Sequence, residues 1–171
     1  PLLAKSIVKR AGQLNINHVV FMDNDSEKLR IYGGLAKNIA GMIDPEIKFG
    51  LTTDPVEALK DADFVITTLR VGKDKGRILD ERIALKHSIL GQETTGAGGF
   101  AMAMRSIPAL REYCKLISTY SKPDAIVFNF TNPSGLVTQA LRNEGYDNVY
   151  GICDGPSDFI KEIEVLLGEK H

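Results

Sequence analysis

Short apolar runs alternate with helix-period stretches along this whole 171-residue sequence, and that alternation narrows its fold more than any other feature. The runs are His18 to Asp23, Ile47 to Thr52, Asp63 to Leu69, Ala125 to Phe130 and Asn148 to Ile152. Each is rich in β-branched or aromatic residues, too short for a helix, and bounded by turn formers, so each reads as a strand. Between them, Leu3, Ile7, Ala11 and Leu14 fall on one helical face, and residues 26–43 carry the same period. Asp54-Pro55-Val56-Glu57 predicts a helix start, with an Asp cap and Pro in the first turn. Residues 77–90 and 136–142 read as helices. A further helix carries Ala103, Ile107, Leu110, Cys114 and Ile117, and Pro108 predicts that it starts near Ser106 or bends there. Ser157 is the expected cap of a last helix that stops near Gly168.

Strands alternating with helices are joined as parallel neighbours by right-handed crossovers. Strands apolar on both faces fit a sheet covered on both sides. The expectation is an α/β chain with a Rossmann-like doubly wound parallel sheet. It shows one strand fewer than that pattern has, and the missing one is the first, expected to precede Pro1. Residues 1–171 are then a single domain, incomplete at both ends.

In such sheets ligands bind at the C-terminal strand ends. Those ends carry Asp23, Thr52, Thr67 and Thr68 with Arg70, Asn132, and Cys153 with Asp154. Polar residues also simply end strands, so either reading of any one of them stands. Asp23 is placed to accept from ribose hydroxyls, or to form a turn. Arg70, Lys73, Lys75 and Arg77 read as a solvated loop or as a clamp for phosphate or carboxylate. Gly91 to Gly99 is expected to form no regular element. Its Gly96-Ala97-Gly98-Gly99 has the wrong spacing for a dinucleotide loop and reads as a site of tight backbone packing. Cys153, beside Asp154, offers a thiolate to a borderline divalent metal or is a small buried apolar residue. Cys114 lies on an apolar helical face and reads as core. His18 and His87 have no ligand spacing to each other.

The charge balance, 21 basic against 22 acidic residues for a net −1, predicts no nucleic-acid or polybasic membrane partner. No apolar run approaches the length of a membrane span. With two cysteines and no charged-then-apolar leader, a cytoplasmic location is expected. A homo-oligomer is also expected.

Several long segments together carry a resemblance. They are Phe21-Met22-Asp23-Asn24-Asp25, Thr68-Leu69-Arg70-Val71-Gly72, Arg77 to Arg82, Gly91 to Phe100, Phe130-Thr131-Asn132-Pro133-Ser134-Gly135 and Gly151-Ile152-Cys153-Asp154-Gly155-Pro156. In order and spacing they resemble the motif series of glycoside hydrolase family 4, and the glycine-rich stretch is most similar to its 6-phospho-β-glucosidases.

The resemblance implies an NAD- and divalent-metal-dependent glycosidase, with Mn²⁺ the expected metal and a phosphorylated glucoside or disaccharide the substrate. It implies hydrolysis by oxidation at C3, elimination and water addition, outside the usual two-carboxylate scheme. Asp23, Thr67 and Thr68 would serve the cofactor, and Arg77, Asn132 and Arg70 the substrate, with Arg77 on its 6-phosphate. Cys153 would be a metal ligand. Glu93 would raise the basicity of a catalytic Tyr, and Asp154 matches the general acid of the α-glycoside members. Many β-glycoside members instead carry Asn there, so Asp154 departs from the β-type pattern of the glycine-rich stretch. A His ligand and the catalytic Tyr are expected beyond residue 171, in a following substrate domain. Two other readings compete: an NAD-dependent 2-hydroxy-acid dehydrogenase, and a non-catalytic nucleotide- or phosphosugar-binding module.

Overall fold

A computed structural model describes residues 2–168. The chain forms two compact units, Pro1–Ala62 and Asp63–His171.

In the first unit, helices α1 (Leu2–Lys9) and α2 (Ala11–Leu14) lead to strand β1 (His18–Met22). Asn15, in the left-handed conformation, separates the two short helices from the strand. Helix α3 (Ser26–Lys28) runs through a π-helical turn, Leu29–Gly33, into α4 (Gly34–Ile43). Strand β2 (Lys48–Thr52) and helix α5 (Pro55–Leu59) follow. β1 and β2 are parallel, with His18 opposite Lys48 and Met22 opposite Thr52. The core joins Ala4 and Val8 of α1 to Ala36 and Ala40 of α4 and Phe49 of β2. Alanines at these positions let the helix axes approach, and the Phe21 and Phe49 rings meet at 5.0 Å, a tilted pair within the favoured range. The Asp54 cap forms as expected, its carboxylate accepting the Val56 N–H at 2.8 Å.

The second unit contains β3 (Phe64–Thr67), α6 (Lys73–Lys86), α7 (Gly96–Tyr120), β4 (Ile126–Asn129), α8 (Ser134–Asn143), β5 (Val149–Gly151) and α9 (Gly155–Leu167). Its sheet runs β3-β4-β5, all parallel, with Phe64 opposite Ile126 and Val127 opposite Val149. Leu110, Val127, Val137, Leu141 and Val149 are among its fully buried side chains. Parallel strands with intervening helices are the α/β pattern expected. Among the described residues β1 pairs only with β2, and β3 only with β4 on one edge.

Three local expectations are corrected. Gly96–Gly99 is not irregular: it is the first turn of α7, which continues through Pro108 to Tyr120. The reason is steric. A Cβ on Gly98 would lie 2.1 Å from the Gln92 carbonyl oxygen, so only glycine lets the preceding loop fold back onto this turn, and that packing overrides weak helix propensity. Helix α6 starts at Lys73, so much of the basic stretch 70–77 is helical rather than loop. Helix α9 starts at Gly155 with Asp154 at the cap position, which leaves Ser157 inside the first turn. Its end at Gly168, in the left-handed conformation, is as expected.

Candidate functional site

The site is built around one carboxylate in the second unit. Arg70 follows β3, Asn132 follows β4, Arg77 lies on α6, and Glu93 sits in the loop before α7. Glu93 Oε1 lies 3.0 Å from Arg70 Nη2 and accepts from Asn132 Nδ2 at 3.3 Å, while Oε2 lies 3.2 Å from Arg77 Nη1. Arg77 Nε also donates to Glu81 Oε1 at 2.8 Å, one turn further along α6. The Glu93 side chain is only 10% exposed, whereas those of Arg70 and Arg77 remain open to solvent. Burial alone would raise the Glu93 carboxyl pKa. Hydrogen bonds from Arg70 and Asn132, with the charges of both arginines, outweigh it and hold the carboxyl below its ordinary value. Glu93 is therefore a fixed anion that aims two guanidinium groups whose outer faces stay accessible. Four residues singled out from the sequence are thus brought together.

The strand ends beneath this cluster are tied by Asn129, which is fully buried at the end of β4. Its Oδ1 accepts from Thr67 Oγ1 at 3.0 Å and from the Thr131 N–H at 3.1 Å. Its Nδ2 donates to Thr138 Oγ1 at 3.1 Å and to the Ser134 carbonyl at 3.4 Å. Thr131 Oγ1 in turn accepts the Leu69 N–H at 2.9 Å. The amide locks the end of β3, which leads to Arg70, to the turn that carries Asn132. No buried side-chain polar atom among the described residues lacks a partner.

The remaining candidates are placed separately. Asp23, at the end of β1 in the first unit, is half-buried, and its Oδ1 accepts the Asp25 N–H at 2.9 Å. That turn orients a carboxylate at a strand end, the acceptor type that a ribose diol requires. Thr67 is buried with its hydroxyl hydrogen given to Asn129, whereas Thr68 is exposed. Cys153 and Asp154 are both exposed at the start of α9, with Sγ 3.9 Å from Oδ1. A soft thiolate beside a carboxylate suits two positions around a borderline divalent ion. Among the described residues no third His, Cys, Asp or Glu joins them. Cys114 is 3% exposed on α7, and burial pushes its thiol up to about 11, as a core residue should behave.

One part of the site was not anticipated. Arg105 on α7 donates Nη1 to Asp80 Oδ1 at 2.9 Å, and its Nη2 bonds the other oxygen of the same carboxylate. No local signal marks this pair, since an arginine and an acid within helices read as surface residues by type. Asn129 is legible as a polar residue closing an apolar strand.

Parallel strands alternating with helices in each unit define an α/β, Rossmann-like class of protein. The model of the family 4 glycosyl hydrolases matches residues 1–169, and the chain belongs to that family. It is 42% identical over 159 residues to the probable 6-phospho-beta-glucosidase of Bacillus subtilis strain 168, covering 91% of this chain and 36% of that protein. A crystal structure of a 6-phospho-alpha-glucosidase from gut microorganisms, in complex with NAD and Mn²⁺, superposes with a TM-score of 0.90 at 36% identity, covering 98% of this chain and 38% of that one. The 6-phospho-beta glucosidase of Thermotoga maritima, solved with manganese, NAD⁺ and glucose-6-phosphate, gives 0.89 at 36% identity, covering 99% and 41%. The chain therefore spans well under half the length of the relatives it matches. No helix among the described residues is long and apolar enough to cross a membrane.

Proposed function

We propose that this chain forms the nucleotide-binding part of an NAD- and Mn²⁺-dependent 6-phosphoglucosidase. The observation that carries the reading is the buried Glu93 carboxylate holding Arg70, Arg77 and Asn132 in one cluster at the strand ends. Guanidinium groups aimed by a fixed anion lose little freedom when a second anion meets their open side, which suits a sugar phosphate. Arg77, with Arg70 beside it, binds the 6-phosphate, and the Asn132 amide orients the sugar hydroxyls. Asp23 holds the adenosine ribose, and Thr67 and Thr68 line the dinucleotide path. Cys153 supplies a thiolate ligand to the metal, and Asp154 next to it protonates the leaving group. Glu93 keeps negative potential beside a tyrosine base supplied elsewhere in the protein. The chemistry that NAD and Mn²⁺ supply when bound is hydride removal and return at C3 of the sugar, with polarisation of the oxygen that becomes a ketone.

Relatives of both anomeric types align with the chain. The glycine-rich stretch Gly91 to Phe100 favours a β-linked substrate. The test is a paired assay of α- and β-linked 6-phosphoglucosides with NAD and Mn²⁺. The expected result is faster β cleavage, no net NADH, and loss of activity when either NAD or the metal is withdrawn. Sustained cleavage after both are removed would overturn the proposal, and stoichiometric NADH would point to a dehydrogenase instead.

A further inference from the structure

We infer that Arg105 and Asp80 form a positioning pair that holds Arg70 and Arg77 at the anion-binding edge. The inference rests on the reading of those two arginines as substrate groups. Asp80 is 7% exposed and, with Ala84, makes up the buried part of α6. The large apolar residues of the helix, Ile78, Leu79, Ile83 and Leu85, are exposed, so its seat on α7 leans on the ion pair and Ala84. Arg105 grips both Asp80 oxygens, and its Nε reaches the Val71 carbonyl at 3.4 Å. One guanidinium therefore touches the residue after Arg70 and the residue one helical turn beyond Arg77.

The backbone beneath it is shaped to admit the group. Gly72 has φ +86°, and a Cβ there would lie 3.2 Å from Arg105 Nε. A Cβ on Gly76 would lie 3.3 Å from Nη2. Glycine at both positions lets the planar fork lie flat on the turn that starts α6, closed by Lys73 N–H to Arg70 O at 3.0 Å and Gly76 N–H to Gly72 O at 2.9 Å. A lysine at 105 would offer a point charge in place of this fork and could not span Asp80 and Val71 together.

The test compares Arg105→Lys and Asp80→Asn with the wild type in the intact protein. Amide hydrogen exchange over residues 70–77 reports the turn whatever the ligand, and kinetics on a 6-phosphoglucoside with glucose 6-phosphate binding report the site. Both variants should speed exchange in 70–77 selectively and raise KM and the glucose 6-phosphate Kd about 10-fold, with a smaller change in kcat and in NAD affinity. Unchanged exchange and KM would overturn the inference. So would faster exchange across the whole unit with KM and kcat worsening in proportion, because that is general destabilisation. Selective loosening of 70–77 in a protein whose wild type ignores glucose 6-phosphate would support the pair and overturn the substrate reading.

Discussion

Arg77 and Glu93 face each other at 3.2 Å, Nη1 to Oε2, although Arg77 also bonds Glu81 on its own helix. The guanidinium is shared between a partner that fixes its helix rotamer and one that ties it to another loop. A lysine has one charged point and cannot serve both. Arg77→Lys should raise KM for a 6-phosphoglucoside by about 10-fold or more with a smaller loss in kcat. Steady-state kinetics read the split, and an unchanged KM would remove Arg77 from phosphate binding.

Glu93→Gln keeps the shape and removes the charge. On the proposed role its effect falls on turnover, and kcat should drop by about 100-fold, the scale of an acid–base contribution. Glucose 6-phosphate affinity should weaken as well, because the two arginines lose the anion that aims them. Titration calorimetry on this variant reads that loss, and unchanged binding with normal turnover would remove Glu93 from both roles.

Acid stability follows from the same carboxylate. Glu93 is held below its ordinary value of 4.5 in the folded chain, so the unfolded chain binds more protons through the window beneath 4.5. Its contribution is complete above that value and is lost as pH falls through the depressed folded pKa. Melting temperature measured from neutral pH downward should therefore decline more steeply below 4.5 in the wild type than in Glu93→Gln. Parallel curves would show that the arginine contacts do not persist in solution.

The two thiols should behave as opposites. Cys153 is exposed, whereas Cys114 is buried with its thiol pushed up to about 11. An aromatic disulfide reagent at neutral pH should label Cys153 alone in the folded protein, and Mn²⁺ should slow that reaction if the thiolate is a ligand. Cys153→Ser should weaken metal dependence with little change in melting temperature. Cys114→Ser should cost about 1–3 kcal/mol of stability by burying a hydroxyl, and leave metal dependence intact.

Gly98→Ala tests the turn that delivers Glu93. The added Cβ meets a backbone oxygen rather than a flexible side chain, so the 91–95 loop must move. The expected loss is about 1–3 kcal/mol of stability, accompanied by reduced turnover as Glu93 leaves its arginines. A fully active variant would show that the loop is not what positions the carboxylate.

The strands and most helices were legible because period and turn chemistry are local signals. The last strand residues and their successors also announced themselves, since polar groups at one sheet edge are a topological fact once the strands are parallel. Gly96–Gly99 is helical against expectation because its glycines answer to carbonyl oxygens of a neighbouring loop, which no helical propensity records. Arg105 and Asp80 are illegible for a related reason: each is an ordinary surface residue by type, and only tertiary packing turns them inward. The resemblance singles out Arg70, Arg77, Asn132 and Glu93 one by one and in separate roles; their meeting on Glu93 comes only from the fold.

The amide of Asn129 has a consequence for what this sequence can become. One end must accept and the other must donate, and both ends are occupied by protein partners in a fully buried position. Aspartate would set a carboxylate oxygen against the Ser134 carbonyl, leucine would strand the Thr67 and Thr138 hydroxyls, and glutamine is a methylene too long. Random mutagenesis that scores folding alone should recover asparagine at 129 and almost nothing else, making this position among the least mutable in the chain.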